Sequence, residues 1–345
     1  MLNNISIIEY RVLQSAVPCF KIKNIYRAAS PGGRMEFLME NKTVDVIIPA
    51  CKPGREWQNL IRMLNCQTYP IGRIRIMNTG QENWDPVYET WTDKMTVCHV
   101  TAEEFDHGKT RDAAARMSDA DYLLFMTQDA VPSDRKLVEK LVGALEQEED
   151  VRAAYARQLP AKGCRLAEQY TRQFNYPPES RVKRKKDIPE LGIKTYFCSN
   201  VCALYDRKTY LELGGFVKKT IFNEDMIFAG KLIQSGYSVA YAADARVIHS
   251  HNYSAIQQFH RNFDLAVSQA DHPEVFEGIR SEGEGIRLVK KTAVWLCRQG
   301  KPWLVIGLVW NSGWKYLGYL LGKRYRHLPM SVVRRCSMNK KYWGR

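Results

Sequence analysis

Paired cysteine motifs are missing from this chain. Its nine cysteines form no Cys-x-x-Cys pair and no Cys/His cluster at zinc-site spacing. Several of them (Cys51, Cys98, Cys198 and Cys202) lie inside apolar runs. An odd, scattered set of this kind speaks against a disulfide framework or a structural zinc, and for reduced thiols in the cytosol. The opening stretch MLNNISIIEYRVLQ has neither the basic start nor the long apolar core of a signal peptide, so export is not expected. Internal repeats and low-complexity segments are also lacking, which sets aside a solenoid or a disordered tail. No P-loop and no nucleic-acid-binding motif occurs. The apolar stretch Trp303 to Leu321 is interrupted by Asn311, Ser312, Lys315 and several glycines, which makes it a poor bilayer-spanning helix.

What is present is a basic chain able to build a core. Its 345 residues, 45% hydrophobic and 11% aromatic, suffice for one large core or two modest ones. The formal charge of +14 asks for an anionic partner, whether nucleic acid, an anionic lipid surface or a phosphorylated substrate.

The central stretch is Leu123 to Pro132, LLFMTQDAVP. An apolar run without alternation is the pattern of a strand buried on both faces, and Pro132 is not expected to extend the ladder. That puts Asp129 at the strand's C-terminal end, where open α/β sheets form their ligand crevice. A carboxylate there can hold a divalent cation against phosphate oxygens, or can simply cap the helix that follows. Upstream, VDVIIP (Val44 to Pro49), Arg73 to Met77 and Met95 to Val100 read as strands, with helices over 55–69 and 110–117. This alternation predicts a doubly wound, mostly parallel, Rossmann-like sheet. A short helix-like stretch before it ends at Asn41, after a turn at Pro31, Gly32 and Gly33.

Four further stretches carry chemistry. In FDHGKTRDAAA, Gly108 permits close backbone approach and Thr110 can cap a helix. Lys109 and Arg111 beside that helix start would attract a phosphate, unless the turn is merely solvated. The basic stretch RVKRKK, Arg181 to Lys186, reads as a loop, and residues 160–195 around it as a largely loop-like segment. In FNEDMIFAGKL, Glu224 and Asp225 open a helix, where carboxylates suit the dipole and also suit general-base work on a hydroxyl. Finally, His249 and His251 end a strand at i, i+2, so both face one side and could join Asp129 around a metal.

Taken together, VDVIIPACKPG, RIMNTG, GKTRDAAA, LLFMTQDAVP, GGF, NED and VIHSH, in that order, resemble glycosyltransferase family 2 with its GT-A nucleotide-sugar-binding fold. The likeness is greatest to the bacterial rhamnosyltransferase branch, in which FMTQDAVP, FNEDM, HSHNYS and a terminal SMxxxYW occur together. It covers residues 43 to 345. The resemblance implies that Pro49, Ala50, Cys51, Asn78 and Thr79 line the base and ribose pocket, with Gln128 beside them and Arg111 on the nucleotide. It implies that Asp129 stands for the second acidic residue of the family's DxD motif and holds Mg2+ or Mn2+, with His249 the foremost further ligand. Asp225, second of the ED pair, would be the base for displacement with inversion.

The chain departs from the family pattern in places that matter. Thr127 replaces the first DxD aspartate, leaving one anionic ligand fewer. Asn78 and Thr79 stand where many members carry acidic residues, which would fit a thymine nucleotide with a 2′-deoxyribose. Gln258 and Arg261 match part of a QxxRW motif of processive synthases, but Asn262 replaces its tryptophan, so a non-processive enzyme is expected.

The C-terminal region accounts for much of the charge. Trp303, Trp310, Trp314, Tyr316 and Tyr319 suit headgroup depth, and Arg298, Lys301, Lys323, Arg324, Arg326, Arg334, Arg335, Lys340 and Lys341 flank them. A buried helical hairpin is the alternative. The expectation is therefore an N-terminal extension (1–42), a catalytic domain (43–270) and a helical membrane-associating region (271–345). The enzyme would move L-rhamnose from dTDP-β-L-rhamnose to a lipid-diphosphate-linked saccharide, on the cytoplasmic face of a bacterial membrane with an anionic surface. A UDP-sugar donor is the alternative within the family. Outside it stand a non-catalytic sugar-nucleotide binder and a nucleic-acid-binding protein, the latter disfavoured because the bases cluster beside an apolar aromatic segment.

Overall fold

The computed structural model describes residues 42–279 and 282–344. The extension expected over 1–42, with its turn at Pro31, thus lies outside the described residues except for Lys42. The residues from Lys42 onward form one compact unit.

Nine strands make one sheet: β1 (Val44–Ala50), β2 (Ile71–Thr79), β3 (Met95–Val100), β4 (Tyr122–Met126), β5 (Val131–Pro132), β6 (Val151–Leu159), β7 (Arg181–Lys183), β8 (Cys202–Asp206) and β9 (Ser238–Ile248). Their order is β3-β2-β1-β4-β8-β6-β9-β5, with β7 also on β9. Twelve α-helices are described. The first seven are α1 (Glu56–Asn65), α2 (His107–Arg116), α3 (Leu137–Glu146), α4 (Leu166–Asn175), α5 (Ile188–Leu191), α6 (Arg207–Glu212) and α7 (Glu224–Gln234). The C-terminal five are α8 (Ala255–Asp271), α9 (Pro273–Phe276), α10 (Glu282–Arg298), α11 (Leu304–Lys323) and α12 (Met330–Cys336).

Alternate residues of the central strands feed two cores, one on each face of the sheet. Val46, Ile48, Leu124 and Met126 pack against Trp57 and Leu60 of α1 and Leu137 and Leu141 of α3. Ile47, Leu123 and Phe125 face Ala114 of α2, Tyr210 of α6 and Phe228 of α7 instead. Each such apolar side chain contributes about 1.5–3 kcal/mol by leaving water. Helices on both faces explain why β4 reads as a continuous apolar run.

The sheet is mixed, where a mostly parallel one was expected. β1, β2, β3 and β4 pair in parallel, as do β6 and β9. β8 runs antiparallel to both β4 and β6, and β5 and β7 run antiparallel to β9. The reversal of β8 has a consequence: its first residue, Cys202, lies opposite Met126, the last of β4. The loop before β8 therefore reaches the crevice end of the sheet, where Thr127 N donates to Val201 O at 3.2 Å.

Two local expectations are corrected. Pro132 does extend a ladder, opposite Val247. It sits on a two-residue edge strand, where a missing N–H is tolerated. The basic stretch Arg181 to Lys186 is a strand followed by a turn. Arg181 pairs with Glu190 at 3.1 Å and Arg184 with Asp150 at 3.2 Å, so acidic neighbours absorb its charge. Lys183 is buried over the Tyr155 ring, and burial lowers its pKa to about 7.

The C-terminal helices pack on the rest of this unit. α11 lies along α8 at two glycines: a Cβ on Gly318 would stand 2.2 Å from Phe259 O, and one on Gly322 would stand 2.3 Å from Phe263 O. The chain's end is pinned to α8 as well, where Asp264 accepts from Met338 N at 2.9 Å and Asn339 N at 3.3 Å. Around that pin, Phe263, Val267 and Val333 enclose Ile221, with Tyr342 and Trp343 packed against them. No described helix is long and apolar enough to cross a membrane.

This seam can be tested by substitution. Gly322→Val should cost about 1–3 kcal/mol by overpacking. Gly313→Ala, on the same helix with nothing near its Cβ, should gain up to about 1 kcal/mol from helix propensity. Denaturant titration of both variants checks the contrast, and equal stabilities would mean that α11 does not rest on α8 at these glycines.

Candidate active site

β4 ends at Met126, and Thr127, Gln128 and Asp129 turn before β5. Beyond the end of β9, the two histidines at i, i+2 reach Asp129 from one side. Asp129 Oδ2 is 3.5 Å from His249 Nε2 and 3.3 Å from His251 Nε2. One donor atom from each of the three lies within 4.8 Å of the others. His249 Nδ1 is 3.0 Å from Gln158 Oε1, an atom that only accepts, so Nδ1 carries a proton. Its Nε2 then faces Asp129, where it can hold a proton or offer its lone pair to a cation. Burial, then the neighbouring His249, lowers the pKa of His251 to about 4, so that ring is neutral near pH 7. Burial alone would raise the pKa of Asp129, yet its hydrogen bond to His249 and the nearby charges hold the carboxyl below the usual range. One carboxylate and two imidazoles fit a divalent transition-metal cation.

The second constellation opens α7. Asn223 takes a left-handed backbone, φ 64°, and its Nδ2 donates to Leu265 O of α8 at 3.3 Å. That kink turns the next two carboxylates inward. Glu224 Oε1 meets the Arg111 guanidinium at 3.2 Å, both side chains being buried, and accepts from Asn200 Nδ2 at 3.2 Å. Asp225 Oδ2 accepts from Asn200 N at 3.0 Å. Asn200 is itself held by Tyr205, whose hydroxyl donates to Oδ1 at 3.0 Å. The two acids are thereby pushed apart. Burial opposes ionisation of Glu224, but Arg111 and then His107 outweigh it, so its pKa is lowered. Burial, then the Glu224 charge, raises the pKa of Asp225 to about 7.

At the other end of the crevice, Pro49 and Ala50 close β1, while Asn78 and Thr79 close β2. Cys51 N donates to Gln128 Oε1 at 2.8 Å and Gln128 Nε2 returns a bond to Cys51 O at 3.0 Å, locking the two turns together. Asn78 Oδ1 and Thr79 Oγ1 are buried without a partner, although Asn78 Nδ2 is taken by Gly80 O. The start of α2 departs from expectation. Asp106, not Thr110, is the cap, and its carboxylate accepts from Gly108 N at 2.9 Å and Lys109 N at 3.1 Å. Those two amides are thus already engaged. Gly108 is needed for packing, since a Cβ there would lie 2.0 Å from Val217 O, and Lys109 is exposed.

A cavity of about 420 Å³ joins Arg111, Asp129, Glu224, Asp225, His249 and His251. Pro49, Ala50, Cys51, Asn78, Thr79, Gly108, Lys109 and Gln128 are not among its lining residues. Sequence reasoning missed Asn200, which clamps both acids, and Gln158, which orients His249. Neither has a local signal, because each acts through residues far away in the chain. His107, four residues before Arg111 on one helix face, could have been found by spacing.

Residues 45–214 match the family described as glycosyl transferase family 2. The chain is 38% identical to the O-antigen chain rhamnosyltransferase RfbN of Salmonella typhimurium strain LT2 over 305 residues, 87% of this chain and 96% of that protein. It is 37% identical to the O-antigen chain rhamnosyltransferase WbaN of Salmonella anatum, again over 87% of this chain and 95% of the other. Among solved structures, the mannosyltransferase PcManGT from Pyrobaculum calidifontis, in complex with GDP-Man and Mn2+, has the same fold. It aligns with a TM-score of 0.53 at 14% identity over 82% of this chain and 86% of its own.

The strained proton affinity of Asp225 predicts a stability effect. A carboxyl whose folded pKa is raised to about 7 stabilises the fold fully only below its unfolded value near 4. That contribution is lost as pH rises through 7. Asp225→Asn should therefore melt higher than the parent at pH 8, with the gain shrinking toward pH 5; a gain independent of pH would contradict the raised affinity.

Proposed function

The chain belongs to glycosyl transferase family 2 and is a glycosyltransferase, and from that premise we propose that it transfers L-rhamnose from dTDP-β-L-rhamnose, with inversion, to a lipid-linked saccharide of O-antigen synthesis. The observation that carries the proposal is a cavity lined both by a carboxylate–dihistidine cluster and by the half-buried Asp225 carboxyl of near-neutral proton affinity.

In this reading Asp225 accepts the proton of the acceptor hydroxyl as its oxygen bonds to the anomeric carbon. The bond from that carbon to the diphosphate breaks on the opposite face, and the nucleoside diphosphate leaves. A base of pKa near 7 suits this step, for a typical contribution of about 10²–10⁴-fold. Glu224 stays ionised against Arg111 and keeps Asp225 basic, while Asn200 holds both carboxylates in place. Asp129, His249 and His251 would hold Mn2+ or Mg2+, which would neutralise charge developing on the leaving diphosphate. Two imidazole donors favour Mn2+, because Mg2+ prefers oxygen ligands. For the donor base and sugar, the uncharged pair Asn78 and Thr79, with unpartnered buried oxygens, supports a 2′-deoxyribose nucleotide. The rhamnosyl group is supported by the two Salmonella relatives.

Peripheral attachment to the cytoplasmic face of the membrane completes the proposal. Trp303, Ile306, Val309, Trp310 and Tyr316 of α11 and its approach are each more than half exposed. The flanking bases would add about 1 kcal/mol each near an anionic surface.

Thermal shift against a panel of nucleotide sugars, with and without Mn2+, tests the donor. The largest metal-dependent shift should come from dTDP-rhamnose, and Asp129→Ala should abolish the metal dependence. A larger shift with UDP-sugars would keep the transferase and discard rhamnose.

A further inference from the structure

A second cavity of about 350 Å³ adjoins the catalytic one. The two share Glu168, Thr171, His251, Tyr253, Gln258 and Lys315, so they form one continuous groove. Its outer part runs between α4, where Arg165 and Leu166 begin the wall, and one face of α11. That face carries Leu304, Gly307, Leu308, Asn311, Ser312 and Lys315. The opposite side of the same helix exposes Ile306 at 78%, Trp310 at 64% and Val309 at 58%. One helix thus separates the groove from the most apolar surface of the described residues.

The charge of the groove is uneven. Lys315 makes no ion pair or hydrogen bond among the described residues, although it reaches both cavities. Arg165 lends one guanidinium nitrogen to Tyr253 O at 3.4 Å and has no carboxylate partner among them. Arg261 lies flat over the rings of Phe222 (4.5 Å) and Tyr253 (5.7 Å), likewise unpaired with any acid. In the outer part of the groove the carboxylate is Glu168, which pairs with Arg172 at 2.7 Å, while Asp129, Glu224 and Asp225 line the inner part. Lys315, Arg165 and Arg261, none of which forms an ion pair among the described residues, line a passage between the reacting groups and the apolar helix; burial lowers the pKa of Lys315, and the charge of Glu168 nearby works against that. Cations lining one passage favour a multivalent anion, and such bases bind phosphate oxygens through charge-assisted hydrogen bonds.

We propose that this groove is the subsite for the acceptor's diphosphate, held by Lys315 and Arg165 with Arg261 at its inner end, while the acceptor's lipid leaves along α11. The subsite is distinct from the donor's diphosphate position, which belongs to Asp129 and the two histidines. It rests on the reading that the acceptor is lipid-linked, and it goes further by assigning the residues that would recognise the lipid-bearing end. It also gives α11 two roles, with one face reading the acceptor and the other meeting the membrane.

The probe is farnesyl diphosphate, titrated by calorimetry below its micellar range into protein saturated with thymidine diphosphate and Mn2+. The expected result is saturable binding beside the nucleotide, weakened about tenfold or more in Lys315→Gln and several-fold in Arg165→Gln, as loss of a charge-assisted contact would do. Farnesol should not saturate, and thymidine diphosphate affinity should be the same in all three proteins, which also shows that the variants are folded. Equal farnesyl diphosphate affinity in parent and Lys315→Gln overturns the proposal. So does displacement of the probe by the nucleotide, which would put it in the donor site, and so does farnesol binding as tightly as the diphosphate. If thymidine diphosphate itself fails to bind, the donor reading falls separately, and the comparison of parent with Lys315→Gln in nucleotide-free protein still decides the subsite.

Discussion

The buried ion pair between Arg111 and Glu224 is the interaction on which the site depends. It joins α2, from the parallel half of the sheet, to α7, from the mixed half, with both side chains almost wholly out of water. Breaking one partner of such a pair typically costs about 3–5 kcal/mol, because the other charge is left buried and alone. Its effect reaches beyond stability. Arg111 keeps Glu224 ionised, and the ionised Glu224 makes Asp225 a better proton acceptor than an ordinary aspartate. Arg111 is thus engaged with the acid next to Asp225. Two acids adjacent in sequence differ in proton affinity because Arg111 contacts Glu224 directly, while burial and then the Glu224 charge dominate at Asp225.

The other structural constraint is the direction of β8. Running against β4, it delivers Asn200 to the crevice end of the sheet, between the carboxylates and the metal-ligand candidates. Gln158, at the end of β6, does the same for His249. Both residues are buried polar groups whose hydrogen bonds are made with distant segments, and such groups stay in place only where their partners are present. Those bonds tie both acids and His249 to neighbouring segments of the sheet.

These features divide what could be read in the sequence from what could not. The first and third strands, the buried run of β4, the opening of α7 at Glu224 and the shared face of His249 and His251 all follow from local periodicity, and each stands in the fold. The mixed sheet does not follow locally, since strand direction depends on how the excursion over residues 160–201 returns. Asp106 capping α2 was hidden because Thr110 offers the same chemistry nearby. The strand Arg181–Lys183 was hidden because its charges look solvent-bound until Glu190 and Asp150 are placed beside them. The glycines of α11 show the limit best. In sequence they weaken a spanning helix, and in the fold Gly318 and Gly322 are the places where α8 comes closest. The aromatics of that helix divide likewise, Trp310 and Tyr316 outward and Trp314 against Phe259.

Burial, and then the charge of Glu224, let Asp225 keep its proton to near-neutral pH. Infrared difference spectroscopy between the parent and Asp225→Asn, titrated from pH 4 to 9, reads this directly, since subtraction isolates one carboxyl from the rest. A protonated-carboxyl stretch belonging to Asp225 should disappear with a midpoint near 7. A difference spectrum with only the ionised form above pH 5 would contradict it.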